Sequence, residues 1–205
     1  MSETRRTRRA LMGGLLGVGL AFVSGFALFS GAEAQGQDGA GPNLVLTIGG
    51  STTGSITIDL FDDVAPQHVA RITELAREGA YDNVVFHRVI DGFMAQTGDV
   101  EFGKAGGDTA RAGMGGSSKP DLAAEFSDRP FVRGTVGMAR SASPDSANSQ
   151  FFIMFDAAPH LNGGYTVVGQ VVDGMNVVDA IKKGDQRQNG AVTQPDMITK
   201  ATVQP

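Results

Sequence analysis

The chain has 205 residues and a mass of 21.3 kDa, the size of one domain or two small ones. It contains no cysteine, which excludes disulfides, thiolate metal sites and a cysteine nucleophile. A formal net charge of −5 and a pI near 5.1 argue against nucleic-acid binding through a basic surface.

The first 34 residues have the order of an export signal. Four arginines within residues 5–9 precede an uncharged run over residues 10–32, and Ala32-Glu33-Ala34 fits the A-x-A pattern of a signal-peptidase site. We therefore expect cleavage before Gln35 and a periplasmic product. Because Arg8 and Arg9 form a twin-arginine pair, the twin-arginine route stays open beside the Sec route.

An uncleaved anchor is the alternative, because the uncharged run is long enough to span a bilayer. The domain would then be held at the inner membrane, facing the periplasm. The six glycines in this run make it weakly hydrophobic, which favours cleavage. Residues 35–42 are polar and glycine-rich, so they predict a flexible linker. Residues 43–205 are then expected to form one folded domain.

The first half of this domain predicts short strands around one helix. Two apolar or alternating segments, 44–48 and 55–61, flank a link rich in Gly, Ser and Thr and predict a hairpin. A helix is predicted from Pro66, with apolar residues at helical spacing, to a stop at Gly79. Residues 84–89 are β-like, and the glycine-rich stretch 103–116 predicts a surface loop.

The second half adds strands at 135–139, 150–155, 167–171 and 198–203. A second helix is predicted from Asp173 or Gly174, with Val177, Val178 and Ile181 facing inward and Lys182-Lys183-Gly184 ending it. The sum predicts a mainly β fold: a closed or nearly closed antiparallel barrel whose open ends are capped by two α-helices.

Motifs for metal or cofactor chemistry are missing from the sequence. Its three histidines (His68, His87 and His160) are far apart along the chain, and it has neither a phosphate-binding G-x-x-x-x-G-K-[ST] nor a G-x-S-x-G nucleophile motif. We therefore expect no metal site and no cofactor.

Three ordered blocks carry a family resemblance. The first is VFHRVIDGFMAQTGD at residues 85–99. The second joins Gly-Met-Ala-Arg at 137–140 to NSQFFI at 148–153, and the third runs from APHLNG at 158–163 to YTVVGQV at 165–171. Together they resemble the motifs of cyclophilins, the peptidyl-prolyl cis–trans isomerases, over about residues 43–203. The resemblance implies an eight-stranded barrel capped by two helices.

The resemblance also makes chemical sense. Rotation about a peptide bond has a barrier of about 18–20 kcal/mol, and an X–Pro bond populates both isomers but exchanges them slowly. A catalyst needs a pocket for the proline ring and a donor that favours the twisted amide; it needs no nucleophile. By resemblance, Arg88 is the catalytic donor to the prolyl nitrogen. His87 is interpreted as a packed residue, because rotation requires no proton transfer to a side chain.

Substrate binding is assigned by the same resemblance. The apolar residues of this set would line the proline pocket, and a strand edge would pair with the peptide backbone. Gln96 would hydrogen-bond the substrate backbone, and Gln150 would contact the substrate or Arg88. The set comprises Phe93, Met94, Gln96, Ala139, Arg140, Gln150, Phe152, His160, Leu161 and Tyr165.

Three positions depart from the common family pattern. Asp91 replaces a proline, His160 stands where many eukaryotic cyclophilins have Trp, and Tyr165 stands where those proteins have His. The last two substitutions resemble the bacterial branch of the family. The missing indole at His160 predicts weak binding of cyclosporin.

The expected function is acceleration of X–Pro isomerisation in exported or envelope proteins during folding. The partners would be unfolded or flexible polypeptides that contain proline, with no nucleic acid, and the protein would act as a monomer. A non-catalytic peptide-binding or chaperone module on the same barrel is the alternative. A barrel that encloses a small ligand is a third possibility.

Overall fold

The computed structural model describes residues 37–205. The predicted signal segment, its anchor alternative and the first two residues of the predicted linker lie outside the described residues. Between residues 37 and 205, no helix has both the length and the apolar character needed to cross a membrane.

The described residues contain nine strands and two α-helices, joined by loops and short 3-10 turns. In chain order they are β1 (Asn43–Gly49), β2 (Gly54–Leu60), α1 (Pro66–Arg77), β3 (Val84–Val85), β4 (Arg88–Ile90), β5 (Met94–Thr97), β6 (Thr135–Met138), β7 (Phe151–Met154), β8 (Val167–Asp173), α2 (Met175–Ala180) and β9 (Met197–Gln204). All named strand pairs are antiparallel, and the spatial order is β3-β9-β1-β2-β8-β6-β7-β5-β4.

The two outer strands of this order, β3 and β4, are separated in the chain by Phe86 and His87 alone. The chain therefore passes directly from one edge of the sheet to the other, which closes the sheet into a barrel. Residues 84–90 act as one interrupted strand that changes partners: Phe86 N–H donates to Asp196 O, and Val89 N–H donates to Gly190 O. Counted in this way, the predicted mainly β barrel with two helices is confirmed.

The barrel interior is filled by apolar side chains that alternate along the strands. In the β1–β2 hairpin, Leu44 lies opposite Ile58 and Leu46 opposite Ile56, and each is at most 1% exposed. The same core takes Val89 from β4, together with residues from most of the other strands. A filled interior agrees with a barrel stabilised by packing. It leaves the alternative of a barrel that encloses a small ligand without support.

The helices cover the barrel largely as predicted. α1 begins at Pro66, buries Val69, Ile72 and Leu75, and ends before Gly79. α2 ends at Ala180, earlier than the predicted stop at Lys182-Lys183-Gly184, because Ile181 already has extended backbone (ψ 132°). Ile181 is nevertheless 1% exposed, so it faces inward as expected.

Two strands differ from the sequence expectation. The predicted strand 84–89 is divided into β3 and β4, and β5 had not been predicted as a separate strand. β5 pairs with both β4 and β7, and three of its four residues are buried while Gln96 is half-buried. Such a strand lacks the polar–apolar alternation by which half-buried strands are recognised.

One buried carboxylate, that of Asp99, holds the C-terminal end of the glycine-rich loop 103–116 in place. Oδ2 of Asp99 accepts hydrogen bonds from Gly113 N–H at 2.7 Å and from Gly115 N–H at 3.0 Å. Its other oxygen, Oδ1, accepts from Glu101 N–H and Phe102 N–H. Asp99 therefore sets the position of residues 113–115 relative to β5.

Residues 37–42 of the predicted linker run beside β2. Gly39 N–H donates to Oδ2 of Asp59 at 3.0 Å, and Leu60 N–H donates to Pro42 O at 3.0 Å. The linker segment therefore has defined contacts with the barrel before β1 begins.

Asp196 is expected to be a main stabilising carboxylate of the barrel. It is 1% exposed and accepts from Ser51 N–H and Oγ–H, Thr52 N–H and Lys182 N–H. Burial alone would raise its pKa, but these four donors outweigh burial and lower the pKa of Asp196. Because an amide cannot accept all four bonds, Asp196→Asn should lower the free energy of unfolding by about 2–3 kcal/mol at pH 7.

Urea denaturation at pH 7 and at lower pH tests this expectation. A carboxylate whose pKa is lowered by folding stabilises above its unfolded pKa and loses that contribution as the pH falls through its folded pKa. The difference between wild type and Asp196→Asn should therefore shrink in acid. The exposed Asp63→Asn is the control and should change stability little. Equal losses in the two variants would contradict the expectation.

Candidate active site

A cavity of about 180 Å³ lies on the outer face of the barrel, and it gathers nine of the eleven residues predicted for the site. The lining residues are Arg88, Phe93, Met94, Gln96, Ala139, Arg140, Phe152, Leu161 and Tyr165. They come from β4, β5 and β7, from the turn between β4 and β5, and from the segments at 139–140 and 161–165. The fold thus brings three separate sequence blocks together.

Strand register explains why these side chains meet. Arg88 lies opposite Gln96, Gln96 lies opposite Phe152, and Phe152 lies opposite Gly137. Directly paired residues of antiparallel strands project from the same face, so these four positions form one row across β4, β5, β7 and β6. Their chain neighbours, such as Val89 and Ala95, project into the barrel core instead.

Gly137 gives the aromatic ring of Phe152 its place in this row. A Cβ atom at position 137 would lie 2.7 Å from Cζ of Phe152 and 2.6 Å from Cε1 of Phe131. The two rings stack with centroids 5.7 Å apart directly over the glycine. A larger residue at position 137 would therefore displace one or both of these rings.

The floor of the cavity is apolar. Met94, Phe152 and Leu161 are 1%, 5% and 8% exposed, and they belong to an apolar cluster separate from the barrel core. The ring of Tyr165 meets that of Phe152 edge to face at a centroid distance of 5.8 Å. An apolar, partly aromatic depression of this size suits a small ring such as that of proline.

The guanidinium of Arg88 is held at the edge of this floor. Nη1 donates to Oε1 of Gln96 at 3.2 Å and approaches Sδ of Met94 at 3.8 Å. Nε and Nη2 donate to the backbone and side-chain oxygens of Asn189, each at 3.1 Å. Burial lowers the pKa of Arg88, but an arginine remains protonated in proteins. The site therefore presents a fixed cation beside an apolar pocket.

A polar chain extends from Arg88 to the glycine-rich loop. Nε2 of Gln96 donates to Oε1 of Gln150 at 3.0 Å, and Nε2 of Gln150 donates to Gly115 O at 2.8 Å. Gln150 lies in a neighbouring cavity of about 190 Å³ that shares Gln96, Ala139 and Arg140 with the first. This predicted site residue therefore contacts Gln96 and lines the second cavity rather than the first.

Comparison with known proteins places these features in a family. The family model for cyclophilin type peptidyl-prolyl cis–trans isomerases matches residues 44–203. A probable peptidyl-prolyl cis–trans isomerase of Brucella suis is 65% identical over 153 residues, or 74% of this chain and 78% of that protein. The enzyme of Synechococcus elongatus is 38% identical over 135 residues, or 65% of this chain and 86% of that protein.

The chain belongs to the cyclophilin family. It is an enzyme of the peptidyl-prolyl cis–trans isomerase class. A crystal structure of a cyclophilin from Hirschia baltica is 25% identical, with a TM-score of 0.63 over 78% of this chain and 73% of that one. The fold is also that of a Cryptosporidium parvum cyclophilin, which is 24% identical with a TM-score of 0.67 over 80% and 99% of the two chains.

The edge beside the cyclophilin cavity is built by Ala139 and Arg140. β6 ends at Met138, one residue before the predicted end, and Ala139 N–H already donates to Gln150 O at 2.9 Å. Nε and Nη2 of Arg140 donate to Gly164 O, and its guanidinium lies 4.3 Å from the ring centroid of Tyr165. Arg140 therefore fixes Tyr165 as well as lining the cavity.

Two histidines near the site, His160 and His87, do not form part of the cavity floor. His160 is exposed on a short turn and stacks on Phe93 with ring centroids 5.8 Å apart, so it forms part of the rim. His87 lies outside the cavity lining, and burial lowers its pKa against the opposing charge of Asp99. A neutral, packed His87 agrees with the interpretation from the sequence.

Asn189 is the site residue that the sequence analysis missed. It follows Arg88 by 101 positions but supplies two of the acceptors that hold the guanidinium. The available signal was the dipeptide Asn189-Gly190, which is typical of a turn and carries no information about its distant neighbour.

In residues 37–205, no group of three or more His, Cys, Asp or Glu side chains is placed to hold a metal ion.

The rim residue His160 is expected to determine cyclosporin binding. An imidazole offers less apolar surface than an indole and is exposed here, so wild type should be inhibited weakly. His160→Trp should increase inhibition at least severalfold in an isomerisation assay. The control Asp91→Pro changes another departure from the family pattern, in the turn closed by Phe93 N–H and Ile90 O, and should leave inhibition unchanged. Potent inhibition of wild type would overturn the expectation.

Proposed function

We propose that this cyclophilin is exported and accelerates X–Pro isomerisation in unfolded or flexible segments of envelope proteins during folding. The observation that carries the catalytic part is the fixed guanidinium of Arg88 beside the apolar cavity. The export part is supported by the basic, apolar and A-x-A order of residues 1–34.

In this mechanism the proline ring enters the cavity over Met94, Phe152 and Leu161. Twisting of the X–Pro bond localises the lone pair on the prolyl nitrogen. An N–H of Arg88 donates to that nitrogen, which stabilises the twisted amide more than either planar isomer. The rotation breaks no covalent bond, so these residues suffice for the reaction described.

The energetic demand on Arg88 is moderate. One preorganised donor stabilises a transition state by about 2.7–4 kcal/mol, and each 1.4 kcal/mol is worth a factor of ten in rate. The barrier of about 18–20 kcal/mol is therefore lowered by Arg88 together with the desolvating pocket, and not by one contact. Gln96 and Asn189 increase this contribution because the donor has little reorganisation left to undergo.

Replacement of Arg88 tests the catalytic part. Arg88→Ala should lower kcat/KM for an Ala-Pro-Phe peptide about 10²- to 10³-fold, the range seen when one preorganised donor is removed. Arg88→Lys keeps the charge but loses the planar fork and should also be strongly impaired. The measurement is a protease-coupled isomerisation assay on residues 35–205.

The exposed Arg187→Ala serves as the control because Arg187 lies outside the cavity lining. It should retain wild-type activity. Circular dichroism should show all four proteins folded. A folded wild type without activity would indicate the peptide-binding module instead of the catalyst, and an active Arg88→Ala would remove Arg88 from its catalytic role.

Export predicts a defined mature terminus. If residues 1–34 are a cleaved signal, the protein from a periplasmic fraction should begin at Gln35, as measured by intact mass and terminal peptide sequencing. Arg8→Lys combined with Arg9→Lys should abolish export only if the twin-arginine route is used. Recovery of the full-length chain from the membrane fraction would identify the anchor alternative.

A further inference from the structure

We propose that Asn189 is a positioning residue that fixes the guanidinium of Arg88 for isomerisation. The proposal rests on the proposed catalytic role of Arg88. It assigns a role to a residue outside the three sequence blocks that carry the family resemblance.

Asn189 engages Arg88 at two of its three guanidinium nitrogens. Its backbone oxygen accepts from Nε and its Oδ1 accepts from Nη2, while Gln96 accepts from Nη1. Acceptors on all three nitrogens fix both the plane of the group and its rotation within that plane. Of the five N–H groups of arginine, one on Nη2 then has no acceptor among residues 37–205 and is available to a substrate.

The backbone of Asn189 makes this double contact possible. Its φ of 54° lies in the left-handed region, which asparagine tolerates better than most residues. In this conformation the residue's own carbonyl and its side-chain oxygen face the same guanidinium. A residue with a longer or branched side chain would not place both oxygens there without strain.

The turn that carries Asn189 is anchored to the strand that carries Arg88. Gly190 O accepts from Val89 N–H at 2.8 Å, and Gly190 N–H donates to Asp185 O at 2.9 Å. A Cβ atom at position 190 would lie 2.5 Å from Cγ1 of Ile90, so glycine permits this close approach. The neighbour of Asn189 is thus paired with the neighbour of Arg88, which fixes the spacing between the two side chains.

Stability alone gives little reason for the Asn189 side chain. Asn189 is exposed, so its truncation creates no core cavity and leaves no deeply buried polar group unpaired. The group affected is the half-buried guanidinium of Arg88. The two bonds therefore act mainly on the orientation of the catalytic donor.

Asn189→Gly is the decisive substitution, because it removes Oδ1 and keeps both the backbone oxygen and the left-handed conformation. We expect kcat to fall about 3- to 10-fold, because one orienting contact is lost while Nε and Nη1 of Arg88 keep their acceptors. KM should stay within about twofold, since the apolar cavity that binds proline is unchanged. Kinetics on the Ala-Pro-Phe peptide give both constants.

Two further variants separate positioning from a general effect of glycine. Asn83→Gly is the matched control, because Asn83 is also an exposed asparagine with positive φ (62°) but lies outside the cavity lining. It should keep wild-type kcat. Asn189→Asp keeps an acceptor oxygen at the same place, so its kcat should stay within about twofold of the wild-type value.

The Nε–Hε signal of Arg88 in a ¹⁵N correlation spectrum gives a readout independent of turnover. It should shift or broaden in Asn189→Gly, where the guanidinium gains freedom, and be preserved in Asn83→Gly. An unchanged kcat in Asn189→Gly with an active wild type would overturn the role of Asn189 and leave the proposed function intact. An inactive wild type would instead overturn the proposed function on which this role rests.

Discussion

The site depends first on the antiparallel register of β4, β5, β7 and β6. That register places Arg88, Gln96, Phe152 and Gly137 in one row on the outer face of the barrel. Because side chains alternate between faces, a shift of one residue in any of these strands would move a site residue into the core. The interior packing of Val89 and its counterparts therefore fixes the register, and stability and site geometry share one cause.

Polar contacts fix the orientation of the Arg88 side chain, which the strand register does not determine. Backbone pairing places the Cα of Arg88, but its side chain has several rotatable bonds, and holding them in place costs conformational entropy. Gln96 and Asn189 hold the side chain in place by accepting from Nη1 and Nη2 of its guanidinium. Gln150 and Gly115 O extend the contacts to a loop that Asp99 holds. The donor is thus oriented before substrate arrives, which is where preorganisation lowers a barrier.

The sequence predicted the parts of this arrangement that have a local or contiguous signal. The β1–β2 hairpin and α1 follow from apolar spacing and from Pro66 and Gly79. The residues of the cavity came from three contiguous blocks. β5 was missed because three of its four residues are buried and it lacks a clear polar–apolar alternation, and α2 was predicted too long because Lys182 and Lys183 suggested a later end. Asn189 was missed because its contact with Arg88 spans 101 positions.

Placing the cavity outside the barrel explains how the protein keeps a partly exposed apolar surface without a large hole in its core. The floor residues Met94 and Phe152 pack with Phe131 and Leu161 in a cluster of their own, while the interior is filled independently. A floor already supported from behind needs no collapse or rearrangement to accept a proline ring. Arg88 and His160 belong to neither apolar cluster, so their replacement removes no side chain from either one. That separation makes kinetic constants of site variants interpretable as changes in catalysis rather than in stability.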